Sequence, residues 1–110
     1  MKYSMFIGRW QTWHPGHQWL IDQRLKEGKN ICIAVRDVAP DENNPWNAHQ
    51  TKQSLDHKFR HNERIKVIII PDIESVNYGR GVGYEVIEHS PPEDIKEISG
   101  TKIRAEKKTT

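Results

Sequence analysis

The stretch Ile31-Cys32-Ile33-Ala34-Val35 is apolar at every position and rich in β-branched residues. A strand with one wet face alternates apolar and polar residues, so an unbroken run reads as a strand covered on both faces, as in a parallel sheet. Working outward, Ile65–Ile70 repeats the β-branched pattern and Pro71 closes it, while Tyr3–Gly8 is a shorter strand candidate that ends in glycine. Between the first two strands, Leu20, Ile21 and Leu25 recur at helical spacing in a segment from His17 to Glu27, and Gly28 supplies the stop. Between the second and third, Asn44-Pro45 opens a polar segment in which Ala48, Thr51, Leu55 and Phe59 form the narrow apolar stripe of a surface helix. The order is β-α-β-α-β. Helix-length crossovers with right-handed connections predict an α/β open parallel sheet with helices on both faces, whose ligands bind at the carboxyl ends of the strands. Beyond Pro71 the pattern predicts short strands over Glu74–Tyr78 and Gly83–Glu88 and a turn at Ser90-Pro91-Pro92. A hydroxyl-rich helix start over Ile98–Arg104 follows, and residues 103–110 form a basic, fraying tail.

The composition limits what this sheet can serve. The 110 residues are 35% hydrophobic and 29% charged, which fits a single compact domain over residues 1–110. A chain of this size hides only about 60–70% of its unfolded surface, enough for one modest core. Seventeen Lys and Arg against fifteen Asp and Glu leave a net charge of +2, without the basic excess of a protein that grips nucleic acid, so no nucleic-acid partner is expected. The single Cys32 has no internal disulfide partner and reads as a small buried thiol, which fits a reducing cytoplasm. Fully apolar runs reach about five residues where a membrane span needs roughly 20, and Met1-Lys2-Tyr3-Ser4 opens no signal-peptide pattern. A cytoplasmic protein with no membrane partner is expected.

The chemistry is concentrated in Gly8-Arg9-Trp10-Gln11-Thr12-Trp13-His14-Pro15-Gly16-His17, which joins the first strand to the first helix. Gly16 lets backbone pass close to a ligand, and His17 stands where the helix begins, beside unpaired N–H groups and the positive end of the dipole. That is a phosphate site. Two imidazoles there can donate hydrogen bonds to a phosphate under attack, without a covalent intermediate.

At these residues the chain resembles the nucleotidylyltransferases that carry an H-x-G-H motif, the cytidylyltransferase-like superfamily. His14-Pro15-Gly16-His17 matches the motif, and Gly8-Arg9-Trp10-Gln11 is similar to the G-R-F-Q junction of nicotinamide-nucleotide adenylyltransferases, with Trp10 in place of Phe. Ile98-Ser99-Gly100-Thr101-Lys102-Ile103-Arg104 resembles the family's I-S-x-T-x-I/V-R segment, and Asp41–Gln50 with Asn44-Pro45-Trp46 is similar to the D-P-F-T-A-x-E/Q segment of the adenylyl branch. The resemblance implies a Rossmann-like sheet and transfer of a nucleoside monophosphate from NTP to a phosphorylated small molecule, with pyrophosphate released and Mg²⁺ carried on the nucleotide. It implies that His14, His17 and Arg104 are catalytic, and that Gly8, Arg9, Trp10, Thr12, Gly16, Ser99, Gly100 and Thr101 bind nucleotide. Arg36 and Trp46 are the acceptor candidates, no residue is assigned as a metal ligand, and a homodimer or larger homo-oligomer is expected. Arg9 and Gln11 depart from the G-T-F-D of the cytidylyl branch, which favours ATP. The length is nearer the compact glycerol-3-phosphate cytidylyltransferases, which keeps CTP as the alternative. The region between Pro71 and Tyr84 is shorter than in most members, so a catalytically reduced nucleotide-binding regulatory module is a further alternative.

Other residues have plainer readings. His14 and His17 are spaced like zinc ligands, yet no Cys or carboxylate in their loop completes a set. His49, His57 and His61 belong to the solvated face of the second helix. Gly79-Arg80-Gly81-Val82-Gly83 lacks the Lys-Ser/Thr of a P-loop and reads as a turn, though it follows Tyr78 and is placed to close over a base. Trp10, Trp13 and Trp46 are candidates for stacking on a ligand ring or for packing, and Trp19 for packing on the first helix.

Overall fold

In the computed structural model, which describes residues 1–81 and 83–93, three strands and two helices alternate. They are β1 (Tyr3–Gly8), α1 (Pro15–Leu25), β2 (Asn30–Asp37), α2 (Ala48–Lys58) and β3 (Ile65–Pro71). The strands form one parallel sheet in the order β1-β2-β3, with Phe6 opposite Ile33 and Ile33 opposite Val67. The α/β character and the β-α-β-α-β order are as the sequence pattern predicts. The central strand is the one read first: Ile31–Val35 is buried at all five positions. Each β-branched side chain buried there contributes about 1.5–3 kcal/mol relative to exposure.

Side chains alternate across a strand, so Phe6, Ile31, Ile33, Val35 and Val67 share one face. Ile21 of α1 and Ala48 and Leu55 of α2 close onto those same residues, with Trp13, Leu20, Leu25 and Phe59 packed around them. Both helices therefore cover one face. Handedness is the reason: two successive right-handed crossovers that step in the same direction across a sheet put their helices on the same side. Wrapping the second face requires the chain to return to the free edge of β1 and continue the other way. Among the described residues it does not, and the expected helices on both faces reduce to helices on one. On the open side Tyr3, Met5 and Ile7 are 43%, 53% and 37% exposed, whereas Cys32 and Ala34 in the middle strand are shielded by their neighbours. Burial holds the Cys32 thiol above its ordinary pKa, against the smaller pull of the Lys66 ammonium.

Local signals set the helix ends. Helix α1 begins two residues before His17: His14 is its N-cap and Pro15 occupies the first turn, where a missing N–H does no harm. It ends at Leu25, and Gly28 follows in the left-handed region at φ 79°. Helix α2 begins at Ala48 rather than at Asn44-Pro45, because Asn47 and Gln50 form a reciprocal capping box. The strands expected over 74–78 and 83–88 are absent: neither segment finds a ladder partner, and Val76, Tyr78, Tyr84 and Val86 are exposed. Gly81 sits at φ 82° in the expected turn, across which Tyr78 and Tyr84 pack with centroids 5.6 Å apart. The helix start predicted over 98–104 and the tail over 103–110 lie outside the described residues.

Gly8 is where backbone and side chain approach most closely among Gly8, Gly28, Gly79, Gly81 and Gly83. A Cβ there would lie 3.1 Å from Cε2 and 3.2 Å from Cζ2 of the Trp10 indole. Gly8→Ala is expected to push the indole from its seat and destabilise the protein by about 1–3 kcal/mol. Urea unfolding checks this, and an unchanged midpoint would show that the ring gives way freely.

Candidate functional site

The loop from Arg9 to His14 leaves the carboxyl end of β1 and delivers the chain to the first turn of α1. Trp10 governs its path. The residue adopts φ 59°, a left-handed backbone that a bulky side chain enters only at a cost of about 1–3 kcal/mol. Its ring is 6% exposed, lies on Gly8, and donates Nε1–H to the Ala34 carbonyl of β2 at 3.0 Å. Trp10, a nucleotide-binding candidate in the sequence, is thus a core residue that backs the site.

Beyond Trp10 the chain places the two histidines together. The imidazoles of His14 and His17 stack with centroids 3.7 Å apart and planes at 25°. Trp10 meets His17 edge-on at 5.1 Å, Trp13 leans against it at 5.2 Å, and Phe59 from the end of α2 braces Trp13 at 5.4 Å. His17 is therefore held among aromatic rings. His14 is held by its cap: its Nδ1 accepts the Gly16 N–H at 3.0 Å, and its carbonyl accepts the His17 N–H at 3.0 Å. With Nδ1 accepting, a neutral ring carries its proton on Nε2, so the cap leaves His14 with an Nε2–H donor. Gly16 serves the first turn of α1, and Thr12 is exposed at the bend of the loop. An open cleft of about 480 Å³ borders His14 along the outer side of α1, walled by Trp13, Trp19 and Asp22, with Lys58 at its rim.

The second wall comes from the segment between β2 and α2. Asp41 organises it: its Oδ1 accepts the backbone N–H of Asn43 at 2.9 Å and of Asn44 at 2.8 Å, and Asn44 is buried. Those hydrogen bonds, with the Arg9 guanidinium adding to them, hold the Asp41 carboxyl below its ordinary pKa despite some desolvation. Arg9 reaches Asp41 Oδ2 at 3.4 Å and the Ala39 carbonyl at 3.3 Å. An ion pair this long, ending on a half-exposed carboxylate, adds little to stability. Gln11 makes the firmer tie, with Nε2–H donating to the Trp46 carbonyl at 2.7 Å and Oε1 accepting the Trp46 N–H at 3.0 Å. Trp46 is 40% exposed at the edge of this wall. Arg36, the other acceptor candidate, is engaged by Asp72 past β3, with Nη2 at 2.6 Å and Nε at 3.1 Å from the same oxygen.

The structure thus brings Gly8, Arg9, Trp10, Thr12, His14, Gly16 and His17 into one loop and sets Trp46 against it through Gln11. Ser99, Gly100, Thr101 and Arg104 lie outside the described residues. Gln11 and Asp41 fall within the motif segments of the sequence, yet their structural ties were not among its site assignments. The signal for Asp41 was available in Asp41-Glu42-Asn43-Asn44, a run rich in side chains that cap turns, whereas nothing local marks Gln11. Among the described residues, no group of three or more His, Cys, Asp and Glu could hold a metal ion, and no helix is long and apolar enough to cross a membrane. No family model matches the chain, and no curated protein matches it in sequence.

The lowered Asp41 pKa makes the second wall sensitive to acid. A carboxyl whose folded pKa is depressed adds stability above its unfolded pKa, about 3.9, and loses that contribution as pH falls through the lower folded value. Following carboxyl shifts by NMR, Asp41 is expected to titrate below an unstructured aspartate, with the Asn43 and Asn44 amide signals moving in step. A midpoint at or above the ordinary value would remove the turn that Asp41 is assigned to hold.

Proposed function

We propose that the protein is a small nucleotidylyltransferase that transfers a nucleoside monophosphate, AMP rather than CMP, from NTP to a phosphorylated small molecule and releases pyrophosphate. The observation that carries this reading is the stacked His14–His17 pair at the start of α1, at the carboxyl end of β1. An acceptor oxygen attacks the α-phosphorus and forms the new P–O bond. The bond from that phosphorus to the α,β-bridging oxygen breaks, and its electron pair leaves with pyrophosphate. Charge that gathers on the phosphoryl oxygens is met by the imidazole N–H donors and the helix N-terminus, in a geometry fixed before substrate arrives. Arg9, loosely held by Asp41, is free to turn to a phosphate, while Ser99, Gly100, Thr101 and Arg104 are assigned to the leaving pyrophosphate. Mg²⁺ is expected to arrive on the triphosphate, where it neutralises charge. In this reading the fold is a Rossmann-like open sheet with helices on both faces, in a cytoplasmic enzyme that acts as a homo-oligomer.

A second reading is a nucleotide-binding regulatory module without turnover. It is favoured by the exposed, strandless segments over 74–78 and 83–88, where a wall for the base would be expected. Pyrophosphate release separates the two. Purified protein with MgCl₂, each of ATP, CTP, GTP and UTP, and a panel of phosphorylated acceptors is expected to release pyrophosphate fastest with ATP. Tight nucleotide binding without release in any combination would overturn the enzyme and support the module.

If the histidines act as preorganised donors, His17→Asn, chosen to limit disturbance of the ring cluster, is expected to lower turnover by about 10²–10³-fold with an unchanged melting temperature. Near-normal turnover would move the chemistry elsewhere. Arg104→Ala is expected to weaken NTP binding by about tenfold or more, the loss of a charge-assisted hydrogen bond, and to slow the reaction as well. Calorimetric titration of NTP checks this, and unchanged affinity would place the pyrophosphate site away from the second motif.

A further inference from the structure

One contact joins the histidine loop to the segment between β2 and α2 and takes no part in the proposed phosphate chemistry. Gln11 is 8% exposed, in a loop whose neighbour Thr12 is exposed. Its carboxamide reads Trp46 as a strand would, one N–H given to the carbonyl and one oxygen taking the amide N–H, at 2.7 and 3.0 Å. Thirty-five residues separate the partners in sequence. The contact therefore closes a long-range junction between the β1–α1 loop and the β2–α2 segment, at the carboxyl edge of the sheet. No other side chain offers this combination at that length. Glutamate lacks the donor and would face the Trp46 carbonyl with a second acceptor, while asparagine is shorter by a methylene.

A second tie between the two segments among the described residues, from Arg9 to Asp41 and Ala39, is longer at both contacts and ends on an exposed carboxylate. The two ties are unequal in kind. One is a buried, neutral, two-bond clamp that needs no counter-ion. The other is an ionic contact that a phosphate can outcompete.

We infer that Gln11 is a positioning residue: it clamps the Trp46-bearing segment to the histidine loop, so that this wall stays in place when Arg9 leaves Asp41 for a bound phosphate. The effect on turnover rests on the proposed transfer reaction, while the clamp itself does not. With the clamp intact, the acceptor side of the site is ordered before ligand arrives, and ordering it need not draw on binding energy.

The test compares the native chain with Gln11→Glu and Gln11→Ala at full length. Hydrogen exchange followed by mass spectrometry reads the segment over 38–47 against β2 as an internal control. Exchange in 38–47 is expected to speed by about tenfold or more in both variants, with β2 unchanged. Pyrophosphate release with MgATP is read alongside. Here kcat is expected to fall by about tenfold or more, and KM for ATP to move less than about threefold, because α1 still holds the histidines. A merely structural role would lower the melting temperature and leave kcat of the folded fraction unchanged. Unaltered exchange over 38–47 overturns the clamp, and so does faster exchange spread equally over β2, which is general loosening. Faster exchange confined to 38–47 with kcat unchanged overturns the positioning role. Faster exchange confined to 38–47, in a protein whose native form releases no pyrophosphate, supports the clamp and overturns the transfer reaction.

Discussion

The site depends on the seat of one indole. Trp10 lies flat on Gly8 and spends its N–H on the Ala34 carbonyl, which fixes where the chain turns after the first strand. The left-handed backbone at this residue is unfavourable for a tryptophan and persists because the ring is buried and bonded. Everything downstream inherits that placement. The edge of the same ring supports His17, His17 stacks on His14, and His14 caps the helix that carries both. A glycine with room on its face is the condition for all of it.

From that seat the two walls are assembled by contacts of unlike strength. The histidine wall is a packed cluster of rings backed by a helix cap, and such clusters change little without repacking. The opposite wall is a turn built around Asp41, tied back by a neutral carboxamide clamp and by a long, exposed ion pair. The packed rings and the longer Arg9 contacts thus differ in kind on the two sides of the loop. The cleft along α1 adds an aromatic and acidic border to the histidine side.

How far the sequence could be read depended on whether a feature was local. Unbroken β-branched runs located β2 and β3 to within a residue or two, because a run of β-branched residues favours an extended strand from its local composition alone. The helix starts were placed less well. The Asn47–Gln50 box decides where α2 begins, yet Asn44-Pro45 offers an equally familiar opening a few residues earlier. Segments 74–78 and 83–88 have strand-like composition and no strand, since a strand exists only when a neighbour supplies its ladder. The place of the histidine motif between the first strand and the first helix was readable from its neighbours in sequence. The part of Trp10 as core, of Arg36 as partner to Asp72, and of Gln11 as clamp was not, because each depends on a residue more than twenty positions away.

The sequence by itself determined the alternation of strands and helices, the parallel pairing, and the place of the histidine loop between β1 and α1. Each is written in periods, β-branched runs and glycine positions that act over a few residues. Only the tertiary structure decided that both described helices share one face, that the two imidazoles stack, and that the Trp46 segment is bound to the histidine loop. Those outcomes follow from crossover handedness and from contacts across the carboxyl edge of the sheet, where packing and hydrogen bonding join residues that the chain keeps apart.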